Sequence, residues 1–207
     1  MYPILLEFID SHLANKDISE DRKEILQTLI LYIQDKISLN KPINLNFICT
    51  HNSRRSHFSQ IWAQVASSYY KVKGVHCYSG GTESTAVYPK VVEILINQGF
   101  KIDMISPGIN PIYAIKYSTT DMPIIGFSKT FDSSFNPESS FAAIMTCSQA
   151  DEGCPFVPGC ERRISIMYDD PKISDNRKDQ NETYKAKSIE IGREMFYVFS
   201  KLIIPDR

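Results

Sequence analysis

Residues 43–69 constrain the fold of this chain more than any other stretch. "INLNFI" (43–48) reads as a short strand that ends at Cys49, and seven polar or basic residues, "THNSRRS", follow it. Phe58, Ile61, Trp62, Val65 and Tyr69 then recur at helical spacing from a start near Ser56. The alternation continues downstream. "GVHCYSGG" (74–81) reads as a second strand running into a glycine turn. The helix after it has Pro89 suited to its first turn, Val91, Val92 and Leu95 on one face, and Gly99 at its end. "FKID" (100–103) is another strand candidate, "FAAIMT" (141–146) is an apolar strand ending at Cys147, and Glu182 to Ile203 reads as a closing helix. Strands alternating with helices imply a three-layer α/β sandwich with a mainly parallel sheet, whose ligands sit at the carboxyl ends of strands. Cys49 and Cys147 both fall at such ends.

Two regions stand outside this alternation. Residues 1–40 read as a helical extension packed on the core, with Leu5, Phe8, Ile9 and Leu13 and then Ile25, Leu26, Leu29, Ile30, Ile33 and Ile37 at helical spacing. A homodimer contact is the alternative use of these helices. The remainder, 41–207, reads as one catalytic domain with an insertion at about 104–140, where "YAIKYS" and "PIIGFSKTF" suggest a β-hairpin. The 23 basic and 24 acidic residues leave a net charge of −1, which gives no general attraction to nucleic acid or to an anionic membrane. The first residues carry no cationic leader pattern, and no apolar run is long enough to span a bilayer. Five cysteines, an odd number, suit a cytoplasmic chain with reduced thiols, in which a disulfide is catalytic or transient.

A loop between a strand and a helix N-terminus can curl its backbone N–H groups around a tetrahedral anion, where the helix dipole adds positive charge. A cysteine there is favoured as thiolate. Arg55, separated from Cys49 by five residues, can hold two anion oxygens in a bidentate fork. Ser56 can cap the helix and hydrogen-bond the Cys49 sulfur, and Asn52 tolerates the positive φ that a tight loop needs. The bland alternative is a buried, inert Cys49 with Arg55 on a solvated turn.

"CTHNSRRS" (49–56) resembles the phosphate-binding loop of the low-molecular-weight protein tyrosine phosphatases and the related arsenate reductases. The resemblance covers roughly residues 43 to 203. It implies a four-stranded sheet and an oxyanion-binding loop made of Thr50, His51, Asn52, Ser53, Arg54, Arg55 and Ser56. Within it, Cys49 would be the nucleophile, Arg55 the anion clamp, Asn52 the loop-shaping residue and Ser56 the partner of the sulfur. His51 departs from the glycine usual in the family, and Arg54 adds a charge at a variable position. The family carries its general acid as Asp before Pro, which here is Asp170 in "YDDPK" (168–172), with Asp169 a loop residue. Lys172 stands where the tyrosine phosphatases usually have Tyr. That departure counts against a dedicated phosphotyrosine hydrolase.

"MTCSQADEGCPFVPGCERR" (145–163) resembles the redox segment of thioredoxin-coupled arsenate reductases, with Cys147 and Cys154 seven residues apart. The implied chemistry is a relay. Cys49 attacks arsenate, Cys147 attacks the Cys49 sulfur to release arsenite, and Cys154 moves the disulfide outward to a thioredoxin-like dithiol. No bound cofactor or metal is expected; zinc on Cys147, Cys154 and Cys160 lacks a C-x2-C pair and a nearby His. Cys160 and Cys77 read as structural. The alternative reading is a phosphomonoester hydrolase working through a Cys49 phosphocysteine, and a non-enzymatic anion sensor is the third.

Overall fold

The computed structural model describes residues 1–153 and 156–204 of the chain. In chain order the elements are α1 (Pro3–His12), α2 (Glu20–Ser38), β1 (Ile43–Cys49), α3 (Arg55–Tyr69), β2 (Val75–Gly81), α4 (Pro89–Asn97), β3 (Lys101–Ser106), β4 (Ile112–Lys116), β5 (Ile124–Gly126), β6 (Phe141–Met145), α5 (Ser148–Gly153), β7 (Cys160–Ser165) and α6 (Gln180–Ser200). One turn of 3-10 helix, Pro171–Ser174, precedes α6. The main sheet has the order β2-β1-β6-β7, and all three pairings are parallel. Every residue of β6 is buried, and β1 is buried except at Asn44, the pattern of inner strands covered on both faces. This is the α/β architecture expected from the alternation, a parallel four-stranded sheet flanked by helices.

The structure adds one strand that the sequence reading did not include. The fourth strand is β7, whose "CERRIS" exposes Glu161 and Arg162 because β7 lies at the sheet edge and fully buries only Ile164. The "FKID" segment does form a strand, but in a second sheet. The expected hairpin of the insertion is present as β4 against β5, and β3 adds to it as a third antiparallel strand, so this unit begins at Lys101 rather than near 104.

Trp62 of α3 is the centre of the helical packing. It is fully buried, stacks on Phe8, and meets Phe100 and Phe196 edge-on, so α1, the turn between α4 and β3, and α6 converge on one side chain. Its indole N–H donates to Ser188 Oγ at 2.9 Å, which pairs the buried indole donor. Truncating such a residue costs roughly 3–5 kcal/mol. Leu5 and Ile9 of α1 and Leu26, Leu29 and Ile33 of α2 belong to the same apolar core as Trp62 and Phe47. Gly99, at φ +102, ends α4 where a Cβ would stand 2.5 Å from the backbone nitrogen of Leu5. Only glycine permits that approach.

Candidate functional site

The loop after β1 is held from outside by its own carbonyls. The carbonyl of Cys49 accepts from Thr82 N at 3.1 Å, that of Thr50 from Glu83 N at 2.8 Å, and that of Ser53 from Tyr88 N at 3.0 Å. The carbonyl of His51 accepts from Ser128 Oγ at 2.9 Å, and that of Asn52 meets His57 Nε2 at 3.0 Å. Five successive carbonyls are thus turned away from the curl. No backbone N–H of residues 50–54 is donated to a partner among the described residues. A chain in this state presents its N–H groups inward, the arrangement that binds an anion. Gly81 makes this closeness possible, since a Cβ there would fall 2.6 Å from the Thr50 carbonyl oxygen and 2.7 Å from Asn52 N.

Asn52 is in the left-handed region at φ 43 and is fully buried. Its amide works in two directions: Nδ2 donates to Ser56 Oγ at 2.9 Å, and Oδ1 accepts from Lys129 N at 2.9 Å. Ser56 Oγ in turn lies 3.1 Å from Cys49 Sγ. With the sulfur as thiolate, the Ser56 hydroxyl is the donor. Ser56 does not cap the helix as expected. The N-cap position is Arg54, without a side-chain cap bond, and Ser56 sits inside the first turn where its hydroxyl is free for the sulfur. His57 is buried behind the loop, where desolvation and the nearby Lys129 push its pKa down to about 3 and keep the ring neutral.

Arg55 is buried, yet its guanidinium reaches the segment before the 3-10 turn. Nη1 donates to the carbonyl of Tyr168 at 2.9 Å, and Nη2 to Asp170 Oδ2 at 2.6 Å. Asp170 Oδ1 accepts from Lys172 N at 3.0 Å and so caps that turn. Arg54 does not face the anion position. It pairs with Asp175 at 2.6 Å, donates to the Tyr184 hydroxyl at 2.6 Å and lies over the Tyr88 ring at 4.1 Å. Its charge is absorbed in anchoring the loop to α6. His51 is partly exposed and lies 3.6 Å from Glu83.

Cys147 is buried just past the end of β6. The β1–β6 register sets Ile48 opposite Met145, so the ends carrying Cys49 and Cys147 are adjacent. Thr50 Oγ1 lies 3.4 Å from Cys147 Sγ and donates to Gln149 Oε1 at 3.3 Å. The N–H of Ala150 donates to the Cys147 sulfur at 3.4 Å. The polar "SQADEG" stretch forms the short helix α5. Arg55, Asp169, Asp170, Cys147, His51 and Lys172 line one cleft of about 670 Å3. Cys154 lies outside the described residues. Cys77 is buried in the core, where desolvation raises its thiol, and Cys160 is half-buried in β7 with its thiol raised for the same reason. Among the described residues no three His, Cys, Asp or Glu side chains are grouped to hold a metal ion.

The sequence is similar to arsenate reductase 2 of Staphylococcus epidermidis, 27% identical over 151 residues that cover 68% of this chain and 95% of that protein. The arsenate reductase of Staphylococcus aureus strain Newman is 26% identical over the same lengths. Among solved structures, an arsenate reductase in its phosphate-binding state superposes with a TM-score of 0.50 at 16% identity, covering 78% of this chain and 99% of the other. A mutant of YwlE from Bacillus subtilis gives 0.51 at 13% identity, covering 77% and 97%. The chain has the low-molecular-weight protein tyrosine phosphatase fold. No family model matches it. Within this phosphatase-type fold, the roles that sequence reasoning missed are non-local ones: the Tyr168 carbonyl that receives Arg55 and the Lys129 amide that fixes Asn52. Neither carries a spacing signal, because a backbone group can be supplied by any residue type.

Proposed function

We propose that the chain is an arsenate reductase that works by a cysteine relay in a reducing, cytoplasmic setting. Residues 41–207 are the catalytic part and the N-terminal helices an extension upon it. The observation that carries this reading is Cys147, a second buried thiol lining the same cleft as Arg55 and Asp170, one hydroxyl away from the loop of Cys49. A phosphomonoester hydrolase turns over with Cys49, Arg55, Asp170 and water alone, and a second thiol would serve it only to protect Cys49 from overoxidation. The arsenate reductases to which the sequence is similar support the same choice.

In the first step the Cys49 thiolate attacks arsenate held by the loop N–H groups and by Arg55. The arsenic–oxygen bond opposite the sulfur breaks, and the leaving hydroxide takes a proton from Asp170 to depart as water. The Cys147 thiolate then attacks the Cys49 sulfur. The sulfur–arsenic pair of electrons stays on arsenic, so arsenate becomes arsenite while two thiolates become one disulfide. Cys154 attacks Cys147, frees Cys49 as thiolate, and leaves Cys147–Cys154 for an external dithiol protein of the thioredoxin type to reduce.

The test is a pair of assays on one purified sample, thioredoxin-coupled arsenate turnover and hydrolysis of a generic aryl phosphate. Arsenate turnover at a rate far above the protein-free mixture is expected. Ester hydrolysis without any arsenate reduction would replace this reading with the phosphatase one.

A further inference from the structure

Both groups that hold the Arg55 guanidinium, the carbonyl of Tyr168 and the carboxylate of Asp170, lie on one three-residue segment. The placement of that segment therefore sets where the clamp points and where the acid stands. On one side it is tied by its backbone, since Tyr168 N donates to the carbonyl of Thr146 at 3.1 Å, just beyond β6. On the other side it is tied by the Tyr168 side chain, which is buried. Its hydroxyl donates to Glu194 Oε2 at 2.7 Å, and burial together with the charge of Glu194 pushes the phenol far up, so it stays a donor. Glu194 of α6 is itself only 2% exposed.

A buried carboxylate persists only when its oxygens are paired. Arg22 of α2 supplies that pairing, with Nε 2.6 Å from Oε1 and Nη2 2.7 Å from Oε2, and its guanidinium lies 5.2 Å from the centroid of the Tyr168 ring. The contact raises the pKa of Arg22 further, so its guanidinium keeps its charge. Arg22 thus touches Tyr168 twice, directly through the ring and indirectly through Glu194. It comes from the N-terminal helices, upstream of the loop, the cysteines and the Asp-Pro pair.

We infer that Arg22 is a positioning residue: through Glu194 and Tyr168 it holds the segment that aims Arg55 and Asp170 at the bound oxyanion. The N-terminal extension then acts on the site and is more than a cover for the core. This rests on the reading of Arg55 as the oxyanion clamp. The chain of contacts is contiguous and hydrogen-bonded, and it is buried from Glu194 inward with Arg22 partly exposed at its end; members of such a chain are coupled.

The experiment measures protection of Cys49 from iodoacetamide by inorganic phosphate, alongside thermal unfolding, at a temperature where all variants are folded. Tyr168→Phe keeps the carbonyl and the ring and removes one oxygen; Arg22→Ala removes the fork. Each is expected to weaken phosphate protection by about three- to tenfold, the scale of one buried hydrogen bond. The double variant is expected to be no worse than the worse single change, and Arg22→Lys to recover part of the loss. Wild-type protection in variants that merely melt earlier would reduce the network to a structural one and overturn the inference, as would strictly additive losses. If Arg22→Ala does not fold, Tyr168→Phe decides alone, because it leaves the Arg22–Glu194 pair intact. Arg55→Ala separates the two readings. Its loss of protection together with unaffected Arg22 and Tyr168 variants would sink only the inference, whereas protection that survives Arg55→Ala would sink the clamp itself.

Discussion

Arg55 Nη2 stands 2.6 Å from Asp170 Oδ2, so the anion clamp and the acid are paired with each other. An incoming oxyanion must compete with the carboxylate for the same fork. The pair is partly exposed on the aspartate side, so breaking it costs little, on the order of 1 kcal/mol. It also keeps the two groups at the distance where both can reach one tetrahedral ligand.

Asp170→Asn should therefore act in opposite directions on binding and on chemistry. Removing the competing charge frees Arg55, and phosphate protection of Cys49 should tighten, by up to about tenfold. Turnover should fall by about 10²–10⁴, the usual worth of a positioned acid. Rapid-quench kinetics with a protection titration would separate the two effects. A variant that binds phosphate more weakly would mean that Asp170 is part of the anion site and not its competitor.

Cys49→Ser and Arg55→Lys should each bring turnover to background while the circular dichroism spectrum stays that of the wild type. Serine keeps the hydrogen bond to Ser56 but not the thiolate. Lysine keeps a charge but has no planar fork, and Arg55 spends two separate N–H groups on the Tyr168 carbonyl and Asp170. Arsenate turnover above a tenth of the wild-type rate in Arg55→Lys would show that a point charge suffices.

Much of this was legible in the chain itself, for reasons that differ by element. β1 and α3 announce themselves because a half-apolar run, a polar loop and a helical apolar stripe follow one another without interruption. Asn52 was legible as a left-handed residue because few residue types tolerate that region. β7 was not legible, since the charges of "CERRIS" are satisfied only in three dimensions: Glu161 by Lys36 and Tyr32, and Arg163 by Asp151. The part played by Arg54 was hidden for the same reason. Its partners Tyr88, Asp175 and Tyr184 are 34 or more positions away in the sequence, and nothing local points to them.

Lys129 offers a test of the packing behind the loop. Its backbone N–H fixes Asn52, while its ammonium is enclosed at 4% exposure over the rings of Phe127 and Phe135, at 4.5 and 5.3 Å. Burial pushes its pKa down to about 8, below the roughly 10.4 of an unfolded lysine. The unfolded chain then holds more protons between those two values, so the contribution of Lys129 to stability rises with pH across that window and is least favourable, and constant, below pH 8. Lys129→Met should accordingly be more stable than the wild type at pH 7, by on the order of 2–3 kcal/mol, with the advantage shrinking toward pH 10. Urea unfolding of both proteins at pH 7 and pH 9.5 measures it. An advantage equal at both values would place the effect in packing and not in charge.

The two downstream thiols should stop the proposed relay at different covalent stages. With Cys154→Ser, the Cys49 thiolate and Cys147 are both present, so arsenate should be reduced once and the protein should accumulate a Cys49–Cys147 disulfide. With Cys147→Ser no thiolate can displace arsenite from the Cys49 sulfur, and no arsenite should be released by the relay. The β1–β6 register places the two strand ends side by side, and forming the first disulfide requires the Cα atoms of Cys49 and Cys147 to come within roughly 7 Å. Hydrolysis of an aryl phosphate should survive both changes, since it uses Cys49, Arg55, Asp170 and water. Non-reducing peptide mapping of arsenate-treated samples reads the linkages directly, and a single-turnover arsenite assay reads the chemistry. If both variants sustain the wild-type rate of thioredoxin-coupled reduction, the cysteines are not in the path of the electrons, and the second buried thiol of this cleft has another purpose.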